Sequence, residues 1–233
     1  MEKFLGFIRQ NALPLFSLLL AGILFVWLLS NSATWQNQLS ARRANVIGFS
    51  PNQIPVEVQP DISNYPYLGK ADAAVVFVEY GDYQCGYCNR FNQETLPLLK
   101  SAFIDSGKVK FVYKDLILFG AESQRLAEAT HCAADQGWFW ELHDGIFELK
   151  ANPEIAGQVD IIASLAANYS PDVPEFEQCL ESGKYSQLVQ DSTQEAISFG
   201  IDGTPTSVIN GVLLQGALPF TQFAQVINAE LNK

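Results

Sequence analysis

AAVVFVEYGDYQCGYC, residues Ala73 to Cys88, opens with a short continuous apolar run and closes on two cysteines three positions apart. The run is rich in β-branched and aromatic residues, the composition of a strand buried on both faces. Gly81 ends it. Beyond the cysteines, NRFNQETLPLLKSAFIDSG carries helical spacing through Phe91, Leu98, Leu99 and Phe103 and stops at Gly107. Pro97 inside that stretch predicts a kink, because proline removes one backbone donor and clashes one turn back. KVKFVYKDL then reads as a second strand. Strand, helix and strand in such close succession make a βαβ unit, with a right-handed crossover and a parallel pair.

Working outward, the signals are helical from Gly120 to Gly200. AESQRLAEATHCAADQ ends near Gly137, and WFWELHDGIFELK and QVDIIASLAANYS follow. SPDVPEFEQCLESGK reads as a helix capped near Ser170 or Asp172, and YSQLVQDSTQEAISFG ends at Gly200, a natural helix-terminating residue. TPTSVINGVLLQGA holds two apolar runs joined at Asn210-Gly211, the strongest short hairpin signal. PFTQFAQVINAELNK closes the chain as a helix. The expected class is α/β: a mixed sheet with helices on its faces, carrying an all-helical insertion over about residues 120–200. No internal repeat is visible.

The N-terminal third differs in kind. Residues 12–30 carry no charge, and Lys3 and Arg9 precede them. At about 1.5 Å of rise per helical residue this length just spans a hydrocarbon core of about 30 Å, which predicts an N-terminal transmembrane helix. A cleaved signal peptide is the competing expectation, although SNSATW offers a poor cleavage site. The basic residues ahead of the run place the N-terminus in the cytoplasm, with Arg42 and Arg43 weakening the asymmetry. Either way the rest of the chain is exported. Residues 1–30 are therefore expected to be anchor or signal, and 31–68 a polar, Pro-containing spacer with one short strand at Val56–Val58. Residues 69–233 are expected to form the one folded domain. The net charge of −11 argues against nucleic acid and anionic membrane surfaces as partners.

Export bears on the four cysteines, Cys85, Cys88, Cys132 and Cys179, because disulfides persist in an oxidising compartment. A zinc site needs four ligands. No second Cys-x-x-Cys or Cys/His pair completes one, since the adjacent His131 and Cys132 splay apart on a helix. A structural staple fares no better, because a four-residue loop constrains little chain entropy. A redox couple remains. Cys85 sits where the strand has ended and the helix begins, and unpaired amide donors and partial positive charge there favour a thiolate. That makes Cys85 the exposed, low-pKa nucleophile and Cys88, one turn in, the buried thiol that attacks a mixed disulfide. Thr204-Pro205, ahead of a late strand, is either an ordinary trans turn or a cis bond delivering that strand to the site. The preceding motif favours cis.

YLGKADAAVVFVEYGDYQCGYCNRF, ETLPLLKSAFIDSGKVKFVYKDLIL, HCAADQGWFWELHDGIF and GIDGTPTSVINGVLLQGALPFTQF together resemble the DsbA-like thiol–disulfide oxidoreductases of the thioredoxin superfamily. The resemblance runs from about Tyr67 to the C-terminus and implies a thioredoxin fold with an inserted helical domain. It implies that Cys85 attacks, that Cys88 resolves, and that Pro205 is a cis-proline facing them. Thr204 would then meet the substrate chain by β-type backbone bonding, with Gly86 and Tyr87 beside it. An acid at the position of Glu79 lies beneath the disulfide in this family and helps move protons. The alternative for Glu79 is a partly buried ion pair with Lys114, which ends the adjoining strand.

The resemblance also implies that Cys132 and Cys179 pair, with free core thiols as the alternative. His131 and His143 read as helix-surface or packing residues, and Trp138, Phe139 and Trp140 as core between the helical block and the sheet. No metal or cofactor is implied. Three functions differ in class. The first is an oxidase that introduces disulfides into unfolded or reduced exported proteins and is reoxidised by a quinone-linked membrane partner of the DsbB or VKOR type. The second is an isomerase or reductase kept reduced by a membrane electron donor. The third is a non-catalytic binding module. Gly86-Tyr87 departs from the Pro-containing dipeptides common in DsbA-like oxidases and resembles the pair of DsbC-type isomerases, which also carry Thr before the cis-proline. Such isomerases are dimers built through a separate N-terminal domain, for which the spacer here is too short. Nothing in the sequence asks for a dimer, and a monomer is expected.

Overall fold

The computed structural model describes residues 58–151 and 160–233. The expected membrane segment at 12–30 lies outside the described residues, as do most of the spacer and the first two residues of the strand expected at Val56–Val58. Among the described residues no helix is long and apolar enough to cross a membrane.

Five strands form one sheet: β1 (Tyr67–Leu68), β2 (Val75–Gly81), β3 (Val109–Asp115), β4 (Thr206–Ile209) and β5 (Val212–Gln215), in the order β1-β3-β2-β4-β5. β2 and β3 pair in parallel, and the other three pairings are antiparallel. The two parallel strands are the two strands of the expected βαβ unit, and they lie in the interior of the sheet. β1 carries no apolar run and is not foreshadowed. It joins the edge through Tyr67 opposite Val112 and Leu68 opposite Phe111. β4 and β5 turn on Asn210 (φ 45°) and Gly211 (φ 86°), both in the left-handed region that this tight hairpin requires.

The crossover between β2 and β3 is a continuous helical run, α1, over residues 86–104. It is α-helical over Gly86–Arg90, π-helical over Phe91–Thr95, α-helical over Leu96–Leu99 and π-helical over Lys100–Ile104. Pro97 sits in the first turn of its short α segment, where a missing N–H matters least. The ladder around it widens, with Leu96 N–H bonding the Phe91 carbonyl. The disturbance expected at Pro97 therefore takes the form of two π-helical segments flanking it.

The inserted block comprises α2 (Ala121–Asp135), α3 (Phe139–Ala151), α4 (Ile161–Tyr169), α5 (Val173–Glu181) and α6 (Ser186–Ser198), and α7 (Phe220–Leu231) returns to the sheet. Asp160 and Asp172 cap α4 and α5 through their carboxylates, so Asp172 rather than Ser170 is the α5 cap.

Side chains alternate along each strand, so the sheet has two chemically distinct faces. On one, Phe77 meets Phe91, Phe111 and Phe223 at ring separations of 6.2, 5.4 and 5.5 Å. On the other, Val78, Tyr80, Val112 and Val208 pack with Val58, Tyr65, Ala196 and Ile201. The helical block joins the first face through Trp140 on Phe111 (5.8 Å) and Phe147 on Tyr113 (6.4 Å). Trp138 lies inside the block, 4.9 Å from Phe176. Of the three aromatics at 138–140, Trp140 thus makes a bridging contact to the sheet, while Trp138 packs within the block.

Candidate active site

Cys85 is the N-cap of α1, and its Sγ accepts the N–H of Cys88 at 3.4 Å. The chain arrives there through a turn in which Cys85 N–H bonds the Asp82 carbonyl at 3.0 Å. From across the sheet the loop before β4 brings Thr204, whose carbonyl accepts the Cys85 thiol at 3.3 Å. The Thr204–Pro205 peptide is cis. The buried Thr204 hydroxyl makes no hydrogen bond of its own, yet it is near enough to Cys85 Sγ to favour the thiolate. Cys85, Cys88, Thr204 and Pro205, separated by more than a hundred residues in sequence, thus share one corner of the fold. Gly86 is open, with nothing near its Cα on the side a Cβ would take, and Tyr87 is 61% exposed. Arg90 lies over the Tyr87 ring at 5.2 Å and donates to the Ala217 carbonyl at 3.0 Å.

The two thiols have opposite electrostatics. The Cys85 pKa is lowered from 9.0 to about 5 by a hydrogen bond from the Cys88 side chain, against the opposing effect of burial. Thr204 and the amides of Cys88 and Tyr87 lower it further. Burial pushes Cys88, which is 0% exposed, far above the ordinary thiol range, and the hydrogen bond to Cys85 and the charge of Glu79 act in the same direction. Cys85 is itself only 5% exposed, so its sulfur is less open than the sequence suggests.

Glu79 is 2% exposed, and burial first, then the charge of Cys85, hold its carboxyl well above the usual carboxylate range. The ion pair considered between Glu79 and Lys114 does not form. In the β2–β3 register Glu79 pairs with Tyr113, while Lys114 pairs with Tyr80, one residue on and therefore on the other face. There Lys114 Nζ bonds Glu195 Oε2 at 2.7 Å and the Asp61 carbonyl at 2.6 Å, and lies 4.4 Å from the Tyr65 ring centroid. Glu195 also accepts the Tyr80 hydroxyl at 2.5 Å.

Three buried groups near the cysteines have no forewarning in the sequence pattern. The Asp82 carboxylate, fully buried, accepts from Gln84 N–H (2.8 Å), Leu118 N–H (2.8 Å), Phe119 N–H (3.3 Å) and Ser123 Oγ (2.7 Å). It ties the cysteine turn to the start of the helical block. His131 is buried rather than on the helix surface and bonds Asp115 at 2.7 Å. Tyr113 lies across Gly81. His143 is a packing residue, ringed by Tyr83, Tyr113, Phe139, Trp140 and Phe147, with Nδ1 on Asp144 at 2.8 Å. Cys132 and Cys179 form a disulfide joining α2 to α5. Among the described residues no group of three or more His, Cys, Asp or Glu could hold a metal ion.

The family model for thioredoxin matches residues 63–229. Disulfide bond formation protein D of Bacillus subtilis is 29% identical over 180 residues, spanning 76% of this chain and 81% of that protein. The crystal structure of oxidised BdbD from Bacillus subtilis superposes with a TM-score of 0.70 at 27% identity, over 76% of this chain and 98% of that one. Wolbachia pipientis α-DsbA1 shares the fold, with a TM-score of 0.67 at 22% identity over 76% of this chain and 95% of its own.

Proposed function

The chain belongs to the DsbA-like branch of the thioredoxin superfamily and is a thiol–disulfide oxidoreductase, and on that premise we propose that it is an oxidase that introduces disulfides into exported proteins. Cys85 is the sulfur attacked by a substrate thiolate, and Cys88 is the leaving and resolving sulfur. Thr204, ahead of Pro205, offers its backbone to the substrate chain beside Cys85, and Gly86 and the exposed Tyr87 border the approach. Glu79 supplies a proton from beneath.

The observation that carries the direction is the pKa of Cys85, lowered to about 5. A stable thiolate is a good leaving group, and it stabilises the reduced enzyme relative to the disulfide, which makes the disulfide a strong oxidant. Reoxidation then falls to a quinone-linked membrane partner of the DsbB or VKOR type. In this reading the uncharged stretch 12–30 anchors a monomeric catalytic domain on the extracytoplasmic side of the membrane. The relative named for disulfide bond formation supports the forming of disulfides as the activity.

The experiment is transfer. The Cys85–Cys88 disulfide form, mixed with a reduced and unfolded two-cysteine protein, should pass its disulfide on stoichiometrically, and Cys85→Ser should not. Turnover retained by Cys85→Ser would overturn the mechanism. A second reading, isomerase or reductase, draws on the Gly86-Tyr87 dipeptide together with Thr204 before the cis-proline. It is distinguished by repair of a scrambled disulfide protein by the dithiol form.

A further inference from the structure

Disulfide transfer through Cys85 requires one proton at a buried atom. As the substrate thiolate attacks Cys85 Sγ, a bond forms between the two sulfurs, the Cys85–Cys88 bond breaks, and its electron pair leaves on Cys88 Sγ. That sulfur is fully buried, where a thiolate is strongly disfavoured, so it must be protonated as it departs. The two substrate thiols release two protons over the cycle. One ends on Cys88 and the other in solvent, because Cys85 stays a thiolate near neutral pH.

We propose that the Tyr113 hydroxyl relays the proton between the Glu79 carboxyl and Cys88 Sγ. This rests on the redox role assigned to the two cysteines and adds a residue to it. Glu79 and Tyr113 are register partners on parallel strands, so their side chains leave the same face of the sheet. Two residues after Glu79 the same face is bare at Gly81. A Cβ there would fall 2.7 Å from Tyr113 Oη, so the phenol occupies the space that glycine leaves open. The backbone N–H of the next residue, Asp82, is near enough to Cys88 Sγ to favour its thiolate slightly. The hydroxyl therefore lies on the face of the acid, over the glycine that leads into the cysteine turn, and the charges of Glu79 and Cys88 both act on it.

The groups facing Tyr113 narrow the choice. They are Glu79 from β2, Tyr83 from the turn, Cys88 from α1, Asp115 from its own strand and His143 from α3, whose ring is 4.7 Å away. Asp115 Oδ2 is taken by His131 and His143 Nδ1 by Asp144; Tyr83 Oη and His143 Nε2 are also buried without a hydrogen-bond partner, but only Tyr113 is the register partner of Glu79. Lys114 lies on the opposite face. Tyr113 Oη itself is buried with no hydrogen-bond partner among the described residues. Leaving such a group unpaired destabilises the fold, and phenylalanine would fill the same space without that penalty. A hydroxyl kept at that expense beside a buried acid, and under the charge of a buried leaving group, is suited to transfer rather than to packing.

The test is single-turnover exchange in both directions, reduction of the disulfide form by a dithiol and reoxidation of the dithiol form by oxidised glutathione. The proteins compared are the wild type, Tyr113→Phe, Glu79→Gln and the double variant. Tyr113→Phe should slow both directions about tenfold or more at neutral pH, with the reduction potential unmoved and stability equal or higher. The double variant should be no slower than the slower single variant, because one path has been cut twice. Wild-type rates in Tyr113→Phe, a potential shift in place of a rate loss, or slowing that multiplies in the double variant would each overturn the relay. Should the phenylalanine variant fail to fold, fluorotyrosine at 113 keeps the shape, and the rate must follow its phenol acidity. A wild type that exchanges no disulfide at all would overturn the function instead.

Discussion

Thr204 meets Cys85 with two groups at once: its carbonyl accepts the thiol at 3.3 Å, and its buried hydroxyl favours the thiolate. The site thus holds the nucleophile in either protonation state without moving the chain. Thr204→Val keeps the carbonyl and removes the hydroxyl. It should cut the thiolate population of Cys85 several-fold at about pH 5, since the hydroxyl dipole near the sulfur favours the charged form. Thiolate absorbance titrated against pH reads this directly. An unmoved curve would mean the hydroxyl contributes nothing.

The displaced thiol pKa values set how stability depends on pH in the reduced enzyme. Cys85 falls to about 5 on folding from about 8.5 in the unfolded chain, so its contribution is fully present above about pH 8.5. It is lost as pH falls through about 5. Cys88 is raised, so its contribution is constant below about pH 8.5 and declines above it. Between these limits the reduced form should gain stability over the disulfide form as pH rises, by several kcal/mol in all. Denaturant unfolding of both forms at several pH values gives the difference, and a flat one would contradict the assignment.

Asp82 is a strut. Asp82→Ala would leave two loop amides, the Gln84 amide and the Ser123 hydroxyl without their acceptor in a buried setting. A stability loss of about 3 kcal/mol or more is expected in denaturant unfolding.

Lys114 and Glu79 should separate cleanly. Lys114→Met breaks the network of Glu195, Asp61 and Tyr80 on the far face and should cost about 3 kcal/mol of stability. The Cys85 titration and exchange rates, corrected for the folded fraction, should remain those of the wild type. A changed exchange rate would place Lys114 in the proton path after all.

The Cys132–Cys179 disulfide closes a separation of 47 residues. Replacing both by alanine should lower stability by about 4 kcal/mol in the chain-entropy account. Alkylation without reductant followed by mass measurement should leave both unlabelled in the wild type.

The parts of this fold that follow local rules are legible in the sequence. The apolar runs at Val75 and Val109, the Asn210-Gly211 turn and the Asp172 cap each depend on a few neighbouring residues. The meeting of Cys85 with Thr204 is not local, and no rule acting on neighbouring residues fixes it. Register is the clearest failure. Glu79 and Lys114 look like partners in two adjoining strands, but a shift of one residue puts them on opposite faces and gives Glu79 Tyr113 instead. No composition rule carries that parity. β1 escapes notice because two residues at an edge leave no pattern, and Asp82 because its four donors come from three segments.

The central claim, that electrons flow from substrate to Cys85–Cys88, rests on the stabilised thiolate. Equilibrating the purified protein with glutathione buffers of stepped ratio measures the reduction potential of that couple. A value near −120 mV, about that of DsbA, is predicted, and one near −270 mV, about that of thioredoxin, would contradict the oxidase assignment.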